Sequence, residues 1–279
     1  MRQQISNYEA ENMAEKESSR ERILSLLEQN RGVFVSGEQI AEQLNISRNS
    51  VWKAVRALRK EGYKIAAVTN RGYNLTEDND KLSVQGIRQY LQIPENACRI
   101  QVYKELPSTN LTAKELAIQG VPHGTVIIAE RQTAGAGRAS GSFFSPEGGL
   151  YMSLVIRPDD SEKGKNKERF ALRAADSAAQ AVEEVCGVKP EIQNSRDLLL
   201  NGRKICGILT ESGGEIETGM IHWLVLGIGI HFSTPADAFP EELKDTDGSI
   251  YPKMNAEHYI KHPHATRNHL AAAIINRIL

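Results

Sequence analysis

A chain of 279 residues, 40% hydrophobic and 25% charged, carries enough apolar material for one large domain or about two smaller ones, and its composition excludes a disordered chain. The net charge of -1 points to no partner, but it hides ten Lys/Arg against five Asp/Glu over residues 18–75, a local +5 on a body that carries the remaining -6; a basic segment of that kind suits a polyanion. Three cysteines, Cys98, Cys186 and Cys206, are odd in number and lack metal-ligand spacing, which argues for a reducing compartment over a disulfide framework or a zinc site.

Residues 1–18 are polar and read as a loose tail or a weak extra helix. The N-terminus lacks the apolar stretch of a signal peptide, and no apolar run approaches a bilayer span. These features predict a cytoplasmic protein with no membrane partner. From Glu21, Ile23, Leu26 and Leu27 fall at helical spacing, and Arg31-Gly32 ends that helix. Ser36, followed three residues later by Gln39, has the pattern of a capping box for a short second helix through Ile40, Ala41 and Leu44. Ser47 caps a third helix, Arg48 to Glu61, with Val51, Trp52, Val55 and Leu58 assigned to one face. Tyr63–Val68 and Gly72–Leu75 then read as a hairpin turning at Asn70.

Three helices and a hairpin make a winged helix-turn-helix over residues 19–77. In that geometry the third helix enters the major groove. Arg48, Asn49 and Ser50 stand where side chains reach base edges, since Arg reads guanine and Asn reads adenine in bidentate fashion. Lys53, Arg56 and Arg71 suit phosphates, which set affinity and register rather than sequence. Asp78–Lys81 reads as a linker.

Beyond it, helix and strand signals mix. A helix follows Pro107, and Thr125–Ala129 and Gly149–Ile156 read as strands. Phe170–Val185 is an Ala-rich helix. Asn201-Gly202 is a hairpin turn between Leu198–Leu200 and Cys206–Glu211. Trp223–His231 reads as a strand broken by Gly227 and Gly229, and Arg267 to Leu279 as a helix. The fold class is α+β: a mixed, mostly antiparallel sheet over residues 82–279, with helices expected on one side.

Four stretches act together: Ser108-Thr109-Asn110, Gln132 to Arg138, Asp197 to Leu209, and Gly227-Ile228-Gly229-Ile230. In that order behind a winged helix, over roughly residues 20–245, the chain resembles the bifunctional biotin protein ligase and biotin operon repressor family. The resemblance implies a biotin/lipoate-ligase-like body. It implies biotin and ATP as substrates, with Mg²⁺ shielding the phosphates, and no metal held by the protein's own side chains. It implies operator DNA and a biotin carboxyl carrier protein as partners, and a ligand-promoted homodimer, for which Leu150–Ile156 is the candidate surface strand. Ser108, Thr109, Asn110, Gln132, Gly135, Arg138, Lys204 and Gly207 map onto the biotin site, with Lys204 and Arg138 in the catalytic role. Physically, neutral groups suit an uncharged ureido ring, and joining a carboxylate to an α-phosphate needs cations to offset two anions.

The departures fall on one side. The family loop Gly-Arg-Gly-Arg-x-Gly-Arg-x-Trp is here Gly135-Ala136-Gly137-Arg138-Ala139-Ser140-Gly141-Ser142-Phe143. The Lys-Trp-Pro-Asn-Asp stretch is Gln193-Asn194-Ser195-Arg196-Asp197, and the Asn after Gly-Ile-Gly-Ile is His231. The family's small C-terminal SH3-like domain is not seen. The expectation is a biotin-responsive repressor with impaired ligase activity. The alternatives are a fully active bifunctional ligase and repressor, and a regulator for a different small acid.

Overall fold

The computed structural model describes residues 17–137, 141–158, 167–214, 220–252 and 265–279. The expectation for the N-terminal tail and the position of Arg138 lie outside the described residues. The chain divides into two compact units, residues 1–89 and 90–279.

In the first unit, α1 (Ser19–Gln29), α2 (Gly37–Leu44) and α3 (Arg48–Lys60) precede a hairpin of β1 (Ile65–Val68) and β2 (Gly72–Leu75). Each helix starts on a serine whose side-chain oxygen accepts an otherwise orphaned backbone N–H: Ser18, Ser36 and Ser47. Ser18–Glu21 and Ser36–Gln39 both close as reciprocal capping boxes. Asn45 ends α2 in the left-handed conformation, and Asn70 turns the hairpin with φ +64. The core is one cluster that includes Ile23, Leu27, Ile40, Val51, Val55, Leu58 and Leu75.

One expectation changes here. Trp52 is not on the buried face of α3: it is 50% exposed. At about 100° per residue it lies a quarter-turn from Val51, and Ala54 takes the inward position beside Val55. The Asp78–Lys81 segment, read as a linker, is fastened to the first unit. The Asn79 side chain accepts from the Lys64 N–H at 3.0 Å and its carbonyl accepts from Arg31. The unit continues through α4 (Val84–Arg88), which packs on α1.

Gly72 is pinned by geometry. Its φ is +99, and a Cβ there would stand 2.1 Å from the Val35 carbonyl. Gly72→Ala is expected to destabilise the first unit by about 2–4 kcal/mol, from backbone strain plus the collision. Scanning calorimetry of the full chain checks this; an unchanged trace would contradict the close approach of hairpin and loop.

The second unit is a seven-stranded sheet ordered β3-β4-β5-β9-β8-β7-β6. Its strands are β3 (Arg99–Tyr103), β4 (Thr125–Ala129), β5 (Leu150–Ile156), β6 (Glu191–Gln193), β7 (Asp197–Leu200), β8 (Arg203–Gly214) and β9 (Ile221–Ile230). β3 and β4 are parallel, joined through α5 (Thr109–Gln119), and all other pairs are antiparallel. α6 (Lys167–Cys186) lays an alanine stripe (Ala171, Ala174, Ala178, Ala181) inward, and α7 (Arg267–Ile278) packs on it. Small side chains let this helix approach β8 closely.

Alternate residues of a strand face opposite sides, yet all seven residues of β5 are buried. Both faces of the sheet are therefore covered, not one. The Ser153 hydroxyl meets α5, so α5 lies on that face and α7, which also packs on β5, covers the other. β5 is central and paired on both sides, so it cannot be the free dimerising strand that the sequence suggested. Among the described strands the edges are β3 and β6. The glycines of β9 neither break it nor bulge it: its ladder with β5 is unshifted from Leu224 to Ile230.

Candidate functional site

A cleft opens over the β9–β8 ladder near its Cys206–Ile230 end. It is lined by Ser108, Asn110, Gln132, Ala136, Phe143, Asp197, Lys204 and the glycines Gly207, Gly227 and Gly229. Its free volume is about 60 Å³, room for a few waters.

One end is a closed network of neutral groups. Ser108 caps α5 by accepting from the Leu111 N–H. Thr109 donates its backbone N–H to Gln132 Oε1 at 2.7 Å, and its hydroxyl oxygen lies 3.1 Å from the same atom. Gln132 Nε2 donates to Ser145 Oγ, which donates to the Phe143 carbonyl. An amide nitrogen has two protons, so Gln132 keeps one N–H for a ligand. Ser108 keeps its hydroxyl proton as well. Asn110 donates to Glu211 Oε2 at 3.2 Å and to the Leu209 carbonyl at 3.5 Å. Its donors are spent on the protein, so it shapes the wall more than it offers protons.

The other end is a cation. Lys204 Nζ sits 2.8 Å from Asp197 Oδ1 and 5.8 Å from the Phe143 ring centre. Asn201 and Gly202 turn with positive φ, delivering Lys204 at the start of β8. Its backbone is clamped from both sides, its N–H donating to the Thr246 carbonyl and its carbonyl accepting from Gly248. Two residues on, Cys206 is fully buried. Burial pushes its thiol far above the usual range, against the opposing pull of Lys204, so it is no nucleophile.

The described parts of the Gly-rich loop, Gly135–Gly137 and Gly141–Phe143, are tied together beside the cleft. The Phe143 N–H donates to the Gly135 carbonyl, and the Gly137 N–H to the Gly141 carbonyl. A Cβ at Gly135 would meet the Phe143 carbonyl at 2.4 Å and Ser145 Oγ at 2.5 Å. The Phe143 ring lies on bare backbone: a Cβ at Gly229 would be 2.5 Å from it, one at Gly207 3.0 Å. It also stacks on His231, with centres 4.9 Å apart and 11° between planes. His231 is fully buried, and neither ring nitrogen has a hydrogen-bond partner; Asp247 stands 3.8 Å from Nε2. Among the described residues that line the cleft, Lys204 is the one cation.

In the first unit, Arg48, Asn49, Lys53 and Arg56 are all exposed on α3. Ser50 is half-buried, with its Oγ 2.9 Å from that of Ser47. Arg56 lies 5.4 Å from the Trp52 ring centre. Arg48 faces a cleft shared with the hairpin tip. Arg71 lies over the Phe34 ring at 4.2 Å. Of the set assigned from sequence, Arg48, Asn49, Lys53 and Arg56 are thus exposed on α3, Ser50 turns to its cap, and Arg71 stands apart on the hairpin.

Residues 19–74 match a model described as an HTH domain, and residues 102–230 match the biotin/lipoate A/B protein ligase family. The bifunctional ligase/repressor BirA of Bacillus subtilis (strain 168) is 38% identical over 232 residues, which cover 83% of this chain and 70% of the relative. The chain belongs to the bifunctional ligase/repressor family. Its Escherichia coli K12 member is 30% identical over 203 residues, covering 72% of this chain and 60% of that one. A solved member of the ligase fold, the biotin protein ligase from Aquifex aeolicus in complex with biotin and ATP, superposes with a TM-score of 0.52. It is 28% identical, over 64% of this chain and 68% of that chain.

Within this family frame, the sequence motifs missed three residues that build the cleft: Ser145, Ser153 and Phe143 as its covering ring. A signal existed for Ser153, the one aliphatic hydroxyl in an otherwise apolar, fully buried strand. Phe143 was read only as a lost tryptophan, because sequence does not show which ring lies on which glycine.

Proposed function

We propose that the chain is a biotin-responsive DNA-binding repressor on a ligase fold, in which formation of biotinyl-adenylate is slow. The observation that carries this reading is Ala136, exposed at the cleft, which with Gly141 stands where the family loop carries an arginine. A carboxylate and a triphosphate brought together need several cations, even with Mg²⁺ carried in on the ATP. Ala136 offers only a methyl, and the buried His231 ring, stacked on Phe143, stands where the family carries an asparagine.

The neutral end supports an uncharged polar head group. Free protons on Ser108 and Gln132 suit a carbonyl acceptor, and the Phe143 ring beside the cleft suits an apolar ring system. Lys204 then holds the acid. In the reaction the family performs, the carboxylate oxygen attacks the α-phosphate of ATP, pyrophosphate leaves, and a carrier lysine amine later takes the acyl group as AMP departs. Lys204 is the group here that steadies charge at that carboxylate.

The alternative, a fully active ligase, is favoured by the intact Lys204–Asp197 pair. Pyrophosphate release with biotin and MgATP separates the two. Heat of biotin binding with little pyrophosphate supports the sensor. Full-rate biotinylation of a carrier lysine supports the enzyme.

The DNA half has its own test. Arg48→Ala or Asn49→Ala should weaken operator binding by about 1–3 kcal/mol and relax base preference. Lys53→Ala should weaken all sequences alike and flatten the salt slope by about one. Equal loss on operator and random duplex for Arg48→Ala would remove it from base reading. A homodimer on a palindromic operator would use β3 or β6, and sedimentation with biotin and operator saturating decides whether it forms.

A further inference from the structure

We infer that Ser153 is a positioning residue for the head-group end of the cleft, acting through Thr109 and Asn110. The inference rests on the reading of that cleft as a biotin site. Ser153 is fully buried in the middle of β5. Its Oγ lies 2.8 Å from Thr109 Oγ1 and 2.7 Å from Asn110 Oδ1, so one buried hydroxyl holds two consecutive residues of the first turn of α5.

The direction of these bonds is fixed by their neighbours. The Asn110 amide nitrogen faces Glu211 Oε2 and the Leu209 carbonyl, and both only accept. Asn110 therefore turns its oxygen to Ser153, and Ser153 spends its one proton there, so its oxygen accepts from the Thr109 hydroxyl. Thr109 donates to Gln132 through a backbone N–H that cannot be reversed, so Gln132 turns its oxygen to Thr109 and its nitrogen to Ser145. Gln132 lines the cleft with one amide proton left over. Ser153 thus holds the turn whose Thr109 N–H orients that side chain, without touching it.

The strand beside it completes the seat. Gly227 is the register partner of Ser153, and a Cβ there would stand 2.0 Å from Asn110 Oδ1. One strand supplies a hydroxyl, and the next supplies bare backbone so that Asn110 can reach it. A side chain at 227 would push Asn110 off Ser153 from the opposite side.

The test uses the full chain and two variants, Ser153→Ala and Gly227→Ala. Biotin titration calorimetry is read together with amide hydrogen exchange of the ligand-free protein. Ser153→Ala should weaken biotin by about five- to tenfold, the scale of one net hydrogen bond. It should speed exchange over residues 108–112 by a similar factor, with β4, β5 and β9 unchanged. Gly227→Ala should act in the same direction, and the double variant should fall short of the product of the two, because both act on Asn110. Should Ser153→Ala fail to fold, Gly227→Ala carries the same test.

Unchanged exchange over 108–112 in the variants would overturn the inference, as would exchange that rises evenly across the sheet, the mark of a merely structural role. If the unmodified chain binds no biotin, the reading of the ligand falls. Local exchange at 108–112 would then still uphold or overturn Ser153 as the residue that orients this turn.

Discussion

Lys204→Ala is expected to reduce whatever adenylation the chain performs by about 10²–10³-fold, the cost of removing one preorganised charge from such a transition state. It should also weaken biotin itself, by about 1.5–3 kcal/mol for a charge-assisted hydrogen bond. Loss of the cation does more than delete a contact. Asp197, 2.8 Å away and only 14% exposed in its side chain, would lose this cation and would repel an incoming carboxylate. Lys204→Ala with Asp197→Asn should therefore bind biotin better than Lys204→Ala alone. Calorimetry with biotin and with its primary amide isolates the charge. The unmodified chain should prefer the acid, and the alanine variant should lose that preference. Equal losses for acid and amide would show that Lys204 does not face the carboxylate.

The basic unit was legible because its signals are local. Ser36–Gln39 capping, the turn at Asn70 and the 3.6-residue stripe of Val51, Val55 and Leu58 are each written within a few residues. Trp52 was misplaced because an indole looks like core, whereas the helix period puts it beside the stripe and Arg56 stacks near it. The ligase-type body was legible from motifs, with Lys204 delivered by its Asn-Gly turn as expected. What sequence hid was which strand is central and which residues meet across it. β5 reads as any apolar run, and nothing in it says that it pairs with both β4 and β9. The glycines of β9 look like interruptions in one dimension. In three dimensions they are clearances: Gly227 for Asn110 and Gly229 for Phe143. Ser153 and its partners are non-local in the same sense, 43 and 44 residues apart in the chain.

Ala136→Arg should raise pyrophosphate release by about ten- to a hundredfold if a missing cation is what slows adenylation. Ala136 is exposed at the mouth of the cleft and bridges to Ser142 across the loop. A longer side chain there displaces nothing buried. Its guanidinium would add a bidentate phosphate donor opposite Lys204, a role that planar geometry suits better than a second ammonium. The gain should appear in turnover and in ATP affinity, not in biotin affinity, because the neutral network around Gln132 is untouched. Ala136→Lys should give a smaller gain, and Ala136→Gln none. A rise in biotin affinity instead would mean that position 136 faces the acid and not the phosphates. No rise in turnover, with biotin still bound, would move the obstacle to His231 and Phe143, whose stacked rings then close the nucleotide side whatever charge the loop carries.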